Sequence, residues 1–202
     1  MTQISQTNKI QNQNENESGK ENVVNGLSVT KLVHIVGAIQ DNPKIAHFNL
    51  RANGKWIGGG HNQTTVNEFY GACQTHRRSR TFVYDEDEPP VLLGEDHGAN
   101  AGEYALVALS SCLTTSLIYH AAARGISIDE VETTVSGDID LRGFLGLDEN
   151  VRNGYEKIKV DFKIKSDAQR EKIKELVELA QKRSPVFDIV SHPTLVEISL
   201  KD

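Results

Sequence analysis

Cysteine is scarce in this sequence. Cys73 and Cys112 are the only two in 202 residues, too few for a disulfide framework, and they carry no metal-ligand spacing. No CxxC, HExxH, Walker A or GxSxG pattern occurs, so neither a metal nor an organic cofactor is expected. Positive charge is also short: 22 Lys plus Arg stand against 28 Asp plus Glu, a formal net charge of -6. That balance argues against electrostatic binding of nucleic acid or anionic membrane surfaces. Uninterrupted apolar runs stay below the ~20 residues of a membrane span. The polar start, Met1-Thr2-Gln3-Ile4, shows no signal peptide. A cytoplasmic location is the resulting expectation. If side-chain chemistry occurs, the two thiols are the first candidates.

What is present reads as a single α+β domain, of ordinary composition for a globular protein at 38% hydrophobic and 25% charged residues. Residues 1–26 are dominated by Asn, Gln, Glu, Ser and Lys and are expected to form a disordered polar tail, leaving residues 27–202 as the folded domain. Leu32, Ile35, Val36 and Ile39 recur at helical spacing behind Ser28 as N-cap, and Asn42-Pro43 ends the run. Phe48 to Ala52, Thr64 to Phe69 and Arg80 to Tyr84 read as strands, with Gly58-Gly59-Gly60 as a turn. The acidic Asp85-Glu86-Asp87-Glu88 before Pro89-Pro90 reads as a solvated loop.

Asn100 with Glu103 forms a capping-box signature. From there to Arg124 the chain has neither Gly nor Pro after Gly102, and Gly125 supplies the stop. A helix of roughly 23 residues this apolar is expected to be buried on most of its surface. Its many small residues would let a second helix approach closely. Val131 to Leu141 reads as extended. Tyr155 to Lys165 alternates strictly, with Ile158, Val160, Phe162 and Ile164 on one face and Lys157, Lys159, Asp161 and Lys163 on the other. Ser166 and Gln169 open an amphipathic helix carrying Ile173, Leu176, Val177 and Ala180, closed by Ser184-Pro185. Leu195 to Leu200 reads as a last strand.

Cys112 sits inside the long apolar helix, where an unpaired cysteine is more often a small core hydrophobe than a nucleophile. It lies about eleven residues past the helix start, beyond the first turn in which the N-terminal field acts. Glu103 is nine residues away, about 13 Å along the same helix at ~1.5 Å per residue, and on the opposite face. A reactive Cys112 therefore needs partners from elsewhere in the fold or from a second subunit. Cys73, after Gly71-Ala72, reads as a turn cysteine. The basic run from Gln74 to Arg80 reads as a solvated face, with an anion or arginine donor for the site as the alternative. His120 reads as a satisfied core histidine.

Several segments together resemble the OsmC/Ohr family of organic hydroperoxide reductases. They are Leu92 to Asn100, Glu103 to Leu106, Ala108 to Leu113, Tyr119 to Ile126, Gly137 to Asp140 and Arg183 to Val186, within roughly residues 46–200. The resemblance implies an OsmC-like fold, an intertwined homodimer with antiparallel sheets wrapped around a long central helix from each subunit. It also implies a peroxidatic cysteine at Cys112, held as thiolate by an arginine and a glutamate, which attacks an organic hydroperoxide. A second cysteine near the end of the later helix would then resolve it as a disulfide.

The sequence departs from that pattern at two places. Ser184 stands where the resolving cysteine is expected, and His61, after Gly59-Gly60, stands where the arginine is expected. Glu103 falls in or beside the glutamate position. The expected function is thiol-dependent reduction of organic hydroperoxides through Cys112, with one-cysteine turnover completed by an external thiol and Cys73 as the possible replacement resolving thiol. The alternative is a non-enzymatic member that binds a small hydrophobic ligand at the dimer interface.

Overall fold

The computed structural model describes residues 21–201. The expected tail lies outside the described residues as far as residue 20, but its last few positions belong to the fold. Strand β1 (Val23–Val24) pairs antiparallel with β2 (Leu27–Ser28) around Asn25-Gly26. Both turn residues have positive φ, 54° and 75°, as a two-residue type I′ hairpin requires. The Asn25 amide donates to the Ile126 carbonyl at 3.0 Å, and its oxygen accepts the Ile128 N–H at 2.8 Å. One side chain thus ties the N-terminal hairpin to a loop a hundred residues away. The folded region starts before Leu27, because composition cannot reveal such a long-range clamp.

Helix α1 (Val29–Asp41) follows, capped as expected by Ser28, whose hydroxyl oxygen accepts the Lys31 N–H, and ended at Asn42. The first sheet is built on β5 (His61–Gly71). One of its edges is taken in succession by β3 (Asn49–Leu50) and β4 (Asn53–Gly58), the other by β6 (Gln74–Glu86), all antiparallel. The expected strand over 48–52 shrinks to two residues, and β4 was not foreseen. The expected glycine turn is present, with Gly59 at φ 55° joining β4 to β5. The acidic segment is not a solvated loop. Asp85 and Glu86 end β6, and Asp87 is only 3% exposed.

The central helix α2 (Ala101–Ala122) starts with the expected capping box, in which Asn100 and Glu103 exchange side-chain-to-backbone hydrogen bonds. Leu109, Leu113, Leu117 and Ala121 recur every four residues and form its buried face. Leu117 and Ala121 meet Leu176 and Ala180 of α4 (Arg170–Arg183), flanked by Val131, Phe162 and Ile164. The last three come from an antiparallel pair, β7 (Glu130–Asp138) and β8 (Lys157–Lys165), whose register runs from Glu130 opposite Lys165 to Asp138 opposite Lys157. The strict alternation of β8 therefore buries one face and solvates the other.

Length and hydropathy alone would let α2 cross a membrane, but here it is the helix on which the second half of the chain packs. The expected burial of most of its surface does not hold within one chain, because only one face meets the core and the other is open, with Val107 56% and Tyr119 45% exposed. The expected extension to Leu141 stops at Asp138, and a short helix α3 (Leu141–Phe144) follows. Ser184-Pro185 does more than close α4, since it begins a further helix, α5 (Pro185–Ser191). The expected strand over Leu195 to Leu200 has no strand partner among the described residues, and Leu195, Ile198 and Leu200 stand almost fully exposed. A strand needs an edge to pair with, and this segment is paired with none of the edges among the described residues.

Candidate active site

Cys112 lies halfway along α2, half-buried, one residue from the buried Leu113. The chain leaves α4 and turns into α5 directly beside it. Ser184 is the N-cap of α5, and its oxygen accepts the Phe187 N–H at 3.1 Å. Its hydroxyl donates to Cys112 Sγ, also at 3.1 Å, and the residue is 2% exposed. The residue in the expected resolving position thus touches the sulfur directly.

The sulfur opens onto a groove of about 1840 Å³ between α1 and α2. Leu32, Val33 and Val36 of α1 face Cys112, Thr115, Tyr119 and His120 of α2 across it, and Arg78 and Pro185 complete the wall. Sequence reasoning missed α1 as part of the site. Its signal was the apolar stripe of α1, of which Leu32 and Val36 line the groove.

Arg78 belongs to the basic run whose two readings are a solvated face and an arginine donor for the site. It is exposed, yet it borders the same groove, and its guanidinium stacks over the rings of Phe69 at 5.3 Å and Phe82 at 5.4 Å. The β5–β6 register brings these groups together. Arg78, Arg80 and Phe82 alternate on one face of β6, while Phe69 comes from β5 opposite His76. His120 is pushed toward the neutral form by burial first, then by the positive charges of Arg124 and Arg183. A neutral imidazole therefore faces the groove at neutral pH.

The remaining expected residues do not join Cys112 within one chain. Glu103 is spent on the capping box at the start of α2. His61 bonds through Nε2 to Asp85 at 2.9 Å, and its ring stacks on His97 at 4.5 Å, with the planes only 3° apart. His97 in turn holds the buried Asp87 through Nδ1 at 2.8 Å, and Asp87 also accepts the backbone N–H groups of Glu88, Glu95 and His97. These bonds hold Asp87 well below the usual carboxylate range, the His97 ring first, and raise His97 in return. Together they pin the 85–98 loop that leads into α2. Gly94 and Gly98 sit so close to the Glu88 and Asp85 carbonyls that a Cβ at either position would overlap backbone.

Cys73 is exposed at the tip of the β5–β6 hairpin, where it and Ala72 have φ of 63° and 47°. It does not line the groove.

A family model described as OsmC-like protein matches residues 94–199, a span that contains Cys112, Glu103 and Ser184. No curated protein sequence matches. Among solved structures, an OsmC like protein from Mycoplasma pneumoniae aligns at 15% identity over 71% of this chain and 87% of that one, with a TM-score of 0.53. A putative osmotic stress induced and detoxification response protein from Psychrobacter arcticus aligns at 13% identity over 70% and 88%, with a TM-score of 0.52. The organic hydroperoxide resistance protein OhrB of Bacillus subtilis aligns at 22% identity over 70% and 90%, with a TM-score of 0.46. At these identities the first two likenesses establish the fold.

Proposed function

The chain belongs to the OsmC-like protein family, and from that premise we propose that it is a thiol-dependent peroxidase that reduces organic hydroperoxides through Cys112. The observation that carries this reading is the placement of the sulfur. Cys112 is the one groove-facing thiol, reachable from an apolar cleft and touched by a hydroxyl donor. A thiolate there attacks the distal peroxide oxygen, so the S–O bond forms as the O–O bond breaks, and the departing alkoxide takes up a proton equivalent to the one the thiol released, leaving as alcohol. The product is a sulfenic acid and an alcohol. Arg78 is the guanidinium on the groove that can stabilise both the thiolate and the departing oxygen.

Turnover follows a one-cysteine route. With serine at 184 and Cys73 exposed at a hairpin tip outside the groove lining, an external thiol condenses with the sulfenic acid. A second thiol then releases Cys112 as thiol, with one disulfide and one water formed. The test is loss of an organic hydroperoxide in the presence of excess dithiol. Wild type should consume many equivalents and Cys112→Ser none, whereas equal rates for the two would remove Cys112 from the chemistry. The size of the groove and its Leu32, Val33 and Val36 wall favour a second reading, binding of a small hydrophobic ligand without turnover.

The working unit is a homodimer. Ala101, Ala105 and Ala108 are exposed along α2, and the residues from Leu195 to Leu200 lack a strand partner among the described residues. Both features are what a second copy would cover, with the small residues allowing close helix contact. Light scattering that returns a monomer at micromolar concentration would contradict this.

A further inference from the structure

We infer that Ser184 is a positioning residue for Cys112, its hydroxyl holding the sulfur in its reactive form in place of the thiol that the family's pattern leads one to expect there. This rests on the reading of Cys112 as nucleophile. Ser184 carries one oxygen with two roles. A lone pair accepts the Phe187 N–H, which caps α5, and the proton goes to Cys112 Sγ. The Ser184 carbonyl also accepts the Asp188 N–H at 3.0 Å, so the backbone is held from both sides. Capping alone would be served equally by Asp or Asn. A carboxylate at this spot would repel a thiolate, whereas a hydroxyl donor favours the anion over the thiol. Ser184 is only 2% exposed, and the Cys112 sulfur is the acceptor for its hydroxyl proton.

The same hydrogen bond serves the oxidised state. After attack, the sulfenic oxygen or sulfur remains within reach of a donor that cannot itself be oxidised. Cys112 then waits for an external thiol rather than closing a disulfide.

The test is alkylation of the reduced full-length protein by iodoacetamide as a function of pH, which needs no peroxide. The other titratable groups around the groove are Arg78 on β6, His34 and Asp41 on α1, Tyr119 and His120 on α2, and Arg124 and Arg183, whose charges act on His120. All are common to every variant, so a displaced profile isolates Ser184. Ser184→Ala should move the rate–pH profile to higher pH and slow Cys112 alkylation about fivefold at neutral pH, the loss of one ordinary hydrogen bond. Ser184→Gly, a substitution that helix caps tolerate better than alanine, should behave alike if the alanine variant folds poorly. Ser184→Thr keeps the hydroxyl and should keep the wild-type profile. An unchanged profile in folded Ser184→Ala or Ser184→Gly overturns the inference.

In Ser184→Cys, one equivalent of organic hydroperoxide should produce a disulfide between Cys112 and the introduced thiol. In that step the sulfenic S–O bond breaks, the S–S bond forms and water leaves. If the profile shifts but wild type consumes no peroxide, Ser184 keeps its role and the peroxidase reading falls. The opposite pair of results leaves the peroxidase and removes Ser184.

Discussion

Asn25 offers a sharp test of how the groove is walled. Its side chain makes two hydrogen bonds to the loop after α2, donating to Ile126 and accepting from Ile128. Its backbone holds φ at 54°, a conformation open to Asn, Asp and Gly but strained for alanine. Asn25→Ala loses both bonds, at about 1 kcal/mol each, and adds roughly 1 kcal/mol of backbone strain. The expected loss is about 3 kcal/mol in urea-induced unfolding. Asn25→Asp keeps the turn and the acceptor but loses the donor, so about 1 kcal/mol is expected. The functional consequence lies in α1, which continues directly from this hairpin and forms one wall of the Cys112 groove. Hydrogen exchange along residues 29–41 should therefore accelerate in Asn25→Ala far more than exchange in α4. Two equal, small losses, or unchanged exchange in α1, would refute the clamp.

Other perturbations test other parts of the structure. Leu117→Ala should cost about 3 kcal/mol, since a fully buried side chain is removed from contact with Leu176 and Ala180; a loss under about 1 kcal/mol in chemical denaturation would contradict the core assignment. His97 is raised and Asp87 lowered by their mutual bond, and the two signs bracket a pH window. The His97 contribution is complete below about pH 6.5 and fades as pH rises through the raised value; the Asp87 contribution is complete above about pH 4 and fades as pH falls. His97→Gln should thus remove the alkaline-side decline in Tm, and a decline parallel to wild type would refute the pairing. Arg78→Ala should slow peroxide oxidation of Cys112 while leaving Tm nearly unchanged, because Arg78 is exposed; an unchanged rate would take it out of the site. Ala108→Asp should abolish dimer formation in light scattering by placing an unpaired charge in a helix contact.

The local signals were legible because they are local. The Asn100–Glu103 capping box, the Ser28 cap and the two-residue period of β8 all depend on neighbours a few positions away. The elements that failed depend on distant ones. Asn25 reads as tail until Ile126 and Ile128 are beside it. Asp87 reads as a solvated carboxylate until His97 and three N–H groups fold over it. Leu195 to Leu200 has the composition of a strand, but pairing is a property of two segments. At the site, motif resemblance singled out Cys112 and Ser184, and the fold puts the two in hydrogen-bond contact. His61 and Glu103 were carried over by position and are engaged in loop and cap contacts instead. Arg78 belongs to the basic run for which an arginine donor is the less favoured reading, and spacing could not single it out from Arg77 and Arg80, since the β5–β6 pairing is what stacks it on Phe69.

The most direct test of the central claim is the mass of the Cys112 peptide after reduced protein meets an organic hydroperoxide without added thiol. Trapping with a carbon nucleophile selective for sulfenic acid, followed by proteolysis, should give one reagent adduct at Cys112, the sulfenic oxygen leaving as water, with Cys73 unmodified and no peptide linking the two cysteines. Cys112 left unmodified at large peroxide excess would contradict the peroxidase and favour the ligand-binding reading.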